Sequence, residues 1–210
     1  DRSPSRGLGD VYKRQGPSQE VLDELGELID AAGGRTLALF SSWRGVEAAD
    51  LHLRKVLVDL PISIITQKRG DAVGPLVERF AKDETSILLG TMSLWQGVDV
   101  PGNSCILVAI DRIPFPRPDE PVMSARSSLA DASGGSGFMQ VSVPRAALLL
   151  AQGTGRLIRS IEDRGVVAIL DSRIVTKRYG SVLLNSMPPL WRTSDGAVVR
   201  DSLKRLRDGL

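Results

Sequence analysis

Apolar residues along the chain alternate between two periods. Leu22, Leu25, Ile29 and Ala32 recur at helical spacing after Pro17 and Glu20, and Gly33-Gly34 closes that pattern. Thr36-Leu37-Ala38-Leu39-Phe40 is then apolar on both faces, as a strand buried in a parallel sheet would be. Val46, Ala49, Leu53, Val56 and Leu57 form a second helical stripe that Pro61 stops, and Ile62-Ser63-Ile64-Ile65 reads as the next strand. Asp71 is placed to cap a helix carrying Val73, Leu76, Val77 and Phe80. Ser86–Leu89 and Cys105–Ile110 follow as strands without a full helix between them, and Val166–Leu170 supplies another after a longer insertion. The stretch Ser124–Gly137, with its Ser-Ser and Gly-Gly-Ser-Gly, reads as a loop-like surface excursion. Val199, Leu203, Leu206 and Leu210 mark a C-terminal amphipathic helix with Lys204, Arg205 and Arg207 on its polar side. Strands separated by helices predict a doubly wound α/β sheet, in which ligands collect outside the carboxyl ends of the strands. Ser41-Ser42-Trp43, Gly90-Thr91, Asp111-Arg112 and Asp171-Ser172-Arg173 each follow a strand.

Composition narrows this picture. With 210 residues, 42% hydrophobic and 25% charged, the chain has the size and balance of one soluble globular domain. A net charge of +2 does not announce a nucleic-acid binder, so any basic surface must be local. The single cysteine, Cys105, sits in an apolar run and reads as a small buried hydrophobe. One cysteine excludes an internal disulfide and a cysteine-ligated iron–sulfur cluster built from this chain alone, which suits a reducing cytoplasm. No apolar run approaches the roughly 18 residues of a membrane span. Residues 1–15 show neither hydrophobic period nor the apolar core of a secretory signal. They read as a disordered tail or as sequence foreign to the domain, which leaves 16–210 as the domain.

Candidate chemistry concentrates in two segments. In Gln152-Gly153-Thr154-Gly155-Arg156-Leu157-Ile158-Arg159, the residues Gln152, Arg156 and Arg159 share one helical face. Ala147, Leu150, Leu157 and Ile161 fall near the opposite face and can seat the helix on a core. Gly153 and Gly155 cost a helix about 1 kcal/mol each relative to Ala, so a close approach of backbone to a ligand or neighbouring domain is a reason to have them. Two guanidiniums beside an amide suit a polyphosphate; two arginines alone would read as a solvated helix face.

The second segment, Gly90-Thr91-Met92-Ser93-Leu94-Trp95-Gln96-Gly97-Val98-Asp99-Val100-Pro101-Gly102, follows a buried strand directly. Its hydroxyls, glycines and backbone N–H groups suit phosphate and sugar contacts, and Asp99 could accept from a ribose hydroxyl or pair with an arginine. Taken alone, it reads as a Gly- and Pro-rich turn with Asp99 in an Asx-type bond.

Together the two segments resemble motifs V and VI of superfamily 2 helicases, most closely the DinG/XPD-type DNA helicases. The resemblance runs in order from about Gly16 to Trp191: Thr36–Trp43 is similar to motif IV, Gly90–Gly102 to motif V and Gln152–Arg159 to motif VI. Ile110-Asp111-Arg112-Ile113-Pro114-Phe115-Pro116 with Asp119-Glu120-Pro121 is a family-like sequel to motif V, and Asp171-Ser172-Arg173 follows motif VI as the family pattern requires. The resemblance implies a RecA-like fold of the P-loop NTPase type, a mostly parallel sheet with helices on both faces, serving as the second of two motor domains. It implies ATP with Mg²⁺ in a cleft shared with an N-terminal RecA-like domain, and movement on single-stranded DNA, with no membrane. It implies Arg159 and Arg156 at the ATP phosphates, Arg159 as the arginine finger, and Gln152, Gly97 and Asp99 at the nucleotide or the domain interface. Ser42, Thr91 and Ser93 become contacts to the DNA backbone.

Some family features are missing or changed. The sequence holds no Gly-x-x-x-x-Gly-Lys-Ser/Thr loop, no Asp-Glu-x-His and none of the four cysteines of the family's iron–sulfur module. This chain is therefore expected not to hydrolyse ATP alone. Gln96 stands where the family commonly has Glu, which keeps hydrogen bonding and loses charge. His52 reads as a packing or surface residue, and Trp43 and Trp95 as loop anchors before base-stacking platforms. Asp99, Asp111 and Asp171 lack a metal-ligand spacing. The competing reading is a non-catalytic module that binds nucleic acid or protein on a RecA-like scaffold.

Overall fold

The computed structural model describes residues 16–94, 104–117, 119–157 and 164–209. Ser18 caps the first helix, α1 (Gln19–Ala32), and Gly33 ends it in the left-handed conformation at φ 65°. Strand β1 (Thr36–Phe40) leads to Ser42, whose hydroxyl accepts from Gly45 N at 3.1 Å and caps α2 (Trp43–Val56). Then come β2 (Ser63–Thr66), α3 (Val73–Lys82), β3 (Ser86–Thr91) and β4 (Leu107–Ile110). Next are α4 (Pro121–Ala132), a π-helical turn (Phe138–Ser142), α5 (Val143–Leu157), β5 (Val166–Ile169), α6 (Arg173–Thr176), α7 (Gly180–Ser186) and α8 (Gly196–Arg207).

The strands form a five-stranded parallel sheet in the order β2-β3-β1-β4-β5. Alternation along each strand divides its side chains between two apolar layers. Ala38, Phe40, Ile87, Leu89 and Ala109 pack with Leu25 and Ile29 of α1 and Ala49 and Leu53 of α2. Leu37, Leu39, Leu88, Val108 and Ile110 face Phe80 of α3, Leu150 and Leu157 of α5, Ile174 of α6 and Leu183 of α7. Leu203 of α8 is buried against Leu28, Ala31 and Ala32 of α1, so α8 extends the first layer. With helices on both faces, the parallel α/β sheet expected from the sequence is the observed fold.

Two local expectations are corrected. Ser124–Gly137 is not loop throughout, because α4 runs to Ala132 with Pro121 in its first turn. This helix buries no residue, so no apolar stripe marks it in the sequence. Asp71 does not cap α3. Ala72 takes the cap position without a side-chain bond, and the Asp71 carboxylate accepts from Lys68 N at 2.7 Å instead.

Candidate nucleic-acid and nucleotide interface

Parallel strands deliver their following loops to one edge of the sheet. Phe40 lies level with Thr91 across the β1–β3 ladder, so Ser41 and Ser42 neighbour Thr91 and Ser93 at that carboxyl edge. Ser42 is exposed, and because its oxygen accepts from Gly45 N, its proton is available to donate outward. Thr91 and Ser93 stand 2.9 Å apart through their hydroxyls. Behind them lies Gln67, the residue after β2, which the motif pattern does not single out. Its amide oxygen accepts from Thr91 N at 2.9 Å and its amide nitrogen donates to Ser93 Oγ at 3.0 Å. A lone polar residue closing the run Ile64-Ile65-Thr66 is the only sequence signal for it.

Two buried carboxylates brace the same edge. Asp111, after β4, accepts from Ser41 N at 2.8 Å and from Ser41 Oγ at 3.0 Å. Burial pushes its carboxyl up to about 6, against the Ser41 bonds and the nearby Arg112 charge, which favour ionisation. Asp171, after β5, accepts from Ile113 N at 3.0 Å and from Arg173, whose Nη2 lies 2.7 Å away. Burial of Asp171 opposes its charge, but Arg173 and the backbone donors outweigh it and hold the carboxyl below its ordinary value. The Arg173 guanidinium also sits 5.7 Å over the Phe115 ring, which meets Phe138 and Tyr179 in a three-ring cluster. Asp111 and Asp171 are thus engaged by backbone and side-chain donors.

The helix carrying Gln152 runs along the face of the sheet and ends at its other edge. A Cβ on Gly165, immediately before β5, would come within 2.8 Å of the Leu157 side chain, which fixes the end of α5 beside the amino ends of the strands. Leu150, Thr154 and Leu157 are buried while Gln152 is exposed, so the expected division of this helix into core and polar faces is present. Gly153 is buried within α5, and Gly155 has open space where a Cβ would stand. The Gly97, Asp99 and Arg159 assignments lie outside the described residues, as does the side chain of Arg156. Leu94 at the carboxyl edge and Ser104, close to the amino end of β4, bound the undescribed segment that includes Gly97 and Asp99.

The remaining singled-out residues have local roles. Trp43 is half-buried, with the Arg69 guanidinium 5.8 Å over its ring. His52 lies between α2 and α1, its Nε2 3.1 Å from Asp23 and its Nδ1 3.2 Å from the Gln19 amide. Trp95 and Gln96 lie outside the described residues. Among the described residues, no helix is long and apolar enough to cross a membrane.

Comparison with known proteins agrees with this fold. The family model for the helicase C-terminal domain matches residues 25–190. The chain is 55% identical over 189 residues to an ATP-dependent helicase DinG of Mycobacterium tuberculosis, covering 90% of this chain and 28% of that protein. It is 36% identical over 180 residues to the ATP-dependent DNA helicase YoaA of Escherichia coli, covering 86% of this chain and 28% of that protein. A solved XPD helicase shares the fold with a TM-score of 0.57 at 18% identity, over 83% of this chain and 32% of that one. The chain therefore spans under a third of the length of these relatives. The family match over most of its length, together with 55% identity to a DinG helicase over 90% of the chain, establishes that this chain belongs to the helicase C-terminal domain family, of the DinG/XPD type.

Proposed function

We propose that this chain is the second motor domain of an ATP-dependent DNA helicase of the cytoplasm, coupling ATP hydrolysis to movement along single-stranded DNA. The observation that carries the reading is the row of hydroxyls from Ser41, Ser42, Thr91 and Ser93 at the carboxyl ends of adjacent strands β1 and β3. Ser42 and Ser93 are exposed donors of the kind that grips a phosphate backbone without reading its bases. Thr91, half-buried beside them, completes the contact.

In this reading the nucleotide belongs to the opposite edge. Gln152 is exposed on the helix that ends there, and in the sequence Arg156 and Arg159 continue its helical period. Arg156 and Arg159 neutralise charge on the ATP phosphates, with Arg159 as the finger that stabilises the transferring group. Gln152, Gly97 and Asp99 complete the nucleotide-side surface. The Walker lysine and the carboxylates that hold Mg²⁺ come from an N-terminal RecA-like domain of the same polypeptide.

The test is ATPase activity of this chain joined to a matching N-terminal motor half, with and without oligo(dT). Activity stimulated by DNA in the joined protein and missing from each half supports the proposal. A joined, folded protein that binds DNA without hydrolysing ATP favours the binding-module reading.

A further inference from the structure

Gln67 is 5% exposed, yet every polar atom of its amide has a partner. The chemistry of those partners fixes which way the amide faces. Thr91 N–H is a donor only, so the atom 2.9 Å from it must be the amide oxygen. The amide nitrogen then faces Ser93 Oγ at 3.0 Å and must donate to it. Ser93 has one proton, and none of it can go to Gln67. It goes to Thr91 Oγ1, 2.9 Å away, or outward from the exposed side of the residue. Thr91 Oγ1 can meanwhile give its own proton to the Gln67 oxygen at 3.3 Å.

The backbone is shaped around this amide. A Cβ at position 90 would stand 2.7 Å from Gln67 Oε1 and 2.1 Å from Leu94 Cδ1, so only glycine lets the amide reach Thr91. Gln67 N also donates to Leu89 O at 2.8 Å, which carries the β2–β3 ladder one residue past the strand. The side chain is therefore held at both ends of its reach.

We propose that Gln67 is a positioning residue for the single-strand contact: by donating to Ser93 Oγ, its amide keeps the Ser93 proton from turning inward to Gln67 and leaves it for a DNA phosphate. The proposal rests on the reading above that Ser93 touches the DNA backbone. Exchanging the amide for a carboxylate of the same shape, Gln67→Glu, tests it. The carboxylate would still accept from Thr91 N but would also accept from Ser93, turning that proton inward.

The experiment uses the joined two-domain protein at pH 8.5, with oligo(dT) as ligand, and reads the half-saturating DNA concentration separately from the maximal ATPase rate. Gln67→Glu and Ser93→Ala are each expected to raise half-saturating DNA by about tenfold, the worth of one hydrogen bond to a charged group, with the maximal rate little changed. The double variant is expected to be no worse than either single one, since both remove the same bond. Gln67→Met, which removes the donor to Ser93 without supplying a strong acceptor, is expected to weaken DNA binding less than Gln67→Glu does. If Ser93→Ala leaves half-saturating DNA unchanged, the DNA reading of Ser93 fails and this proposal with it. If Ser93→Ala weakens DNA binding while both Gln67 variants, corrected for folded fraction by thermal melts, bind as the parent does, only the positioning role is overturned.

Discussion

Asp111 receives both donors of Ser41, the backbone N–H at 2.8 Å and the hydroxyl at 3.0 Å, and so ties the end of β4 to the end of β1 beneath the exposed Ser42. Ser41 therefore spends its proton inside the protein, while Ser42 keeps one for the outside. The two adjacent serines have different work because one carboxylate is buried beside the first.

That carboxylate should leave a signature in the pH dependence of stability. Its folded value of about 6 exceeds the ordinary 3.8, so its stabilising contribution is complete below 3.8 and is lost as pH rises through about 6. Asp111→Asn keeps an acceptor for Ser41 N and never ionises. Between pH 4.5 and 7.5 the variant should gain on the parent by about 2 kcal/mol. Urea unfolding at both pH values measures this, and parallel changes in the two proteins would contradict it.

Asp171 should behave in the opposite sense. Its carboxyl is held below the ordinary value, so its contribution is present above that value and is lost as pH falls through the lowered one. Asp171→Ala would leave Ile113 N–H and the Arg173 guanidinium without their acceptor, at a cost of about 3 kcal/mol. Asp171→Asn keeps an acceptor for Ile113 and should lose less. Acid titrations of unfolding should show the parent losing its advantage over Asp171→Ala below pH 4; a constant gap would refute the assignment.

Gly90→Ala tests the packing behind the hydroxyl row. The added methyl must displace Leu94, which is fully buried, and Gln67. A loss of about 3 kcal/mol is expected from overpacking at this point. A melting temperature equal to the parent's would show that the Leu94 and Gln67 side chains are not held as described.

Much of this architecture was legible in the residues. Leu37–Phe40 and Cys105–Ile110 are apolar at consecutive positions, as a short strand covered on both faces would be, and β1 spans the first run while β4 lies within the second. Val46, Ala49 and Leu53 similarly gave α2 away through their spacing. Helix α4 was illegible because its folded surroundings bury none of its side chains, and hydrophobic period is the signal that sequence reading depends on. The hydroxyls of Ser42, Thr91 and Ser93 were legible as strand-end chemistry. Gln67 and Asp111 were not assigned their roles, since each acts through a partner distant in sequence: Gln67 through Thr91, and Asp111 through Ser41. Pairings of that kind appear only once strand order is known. Strand direction likewise separates the two edges: the helix carrying Gln152 ends, at Leu157, beside the amino end of β5.

The most direct test of the central claim is DNA-stimulated ATPase activity of the joined two-domain protein, comparing the parent with Arg159→Ala. The motor reading predicts a fall of about 10³-fold or more in the stimulated rate, with oligo(dT) binding and the thermal melt retained. A rate indifferent to the substitution would contradict the assignment of Arg159 as the arginine finger, and with it the role of this chain as the arginine-donating half of a helicase motor.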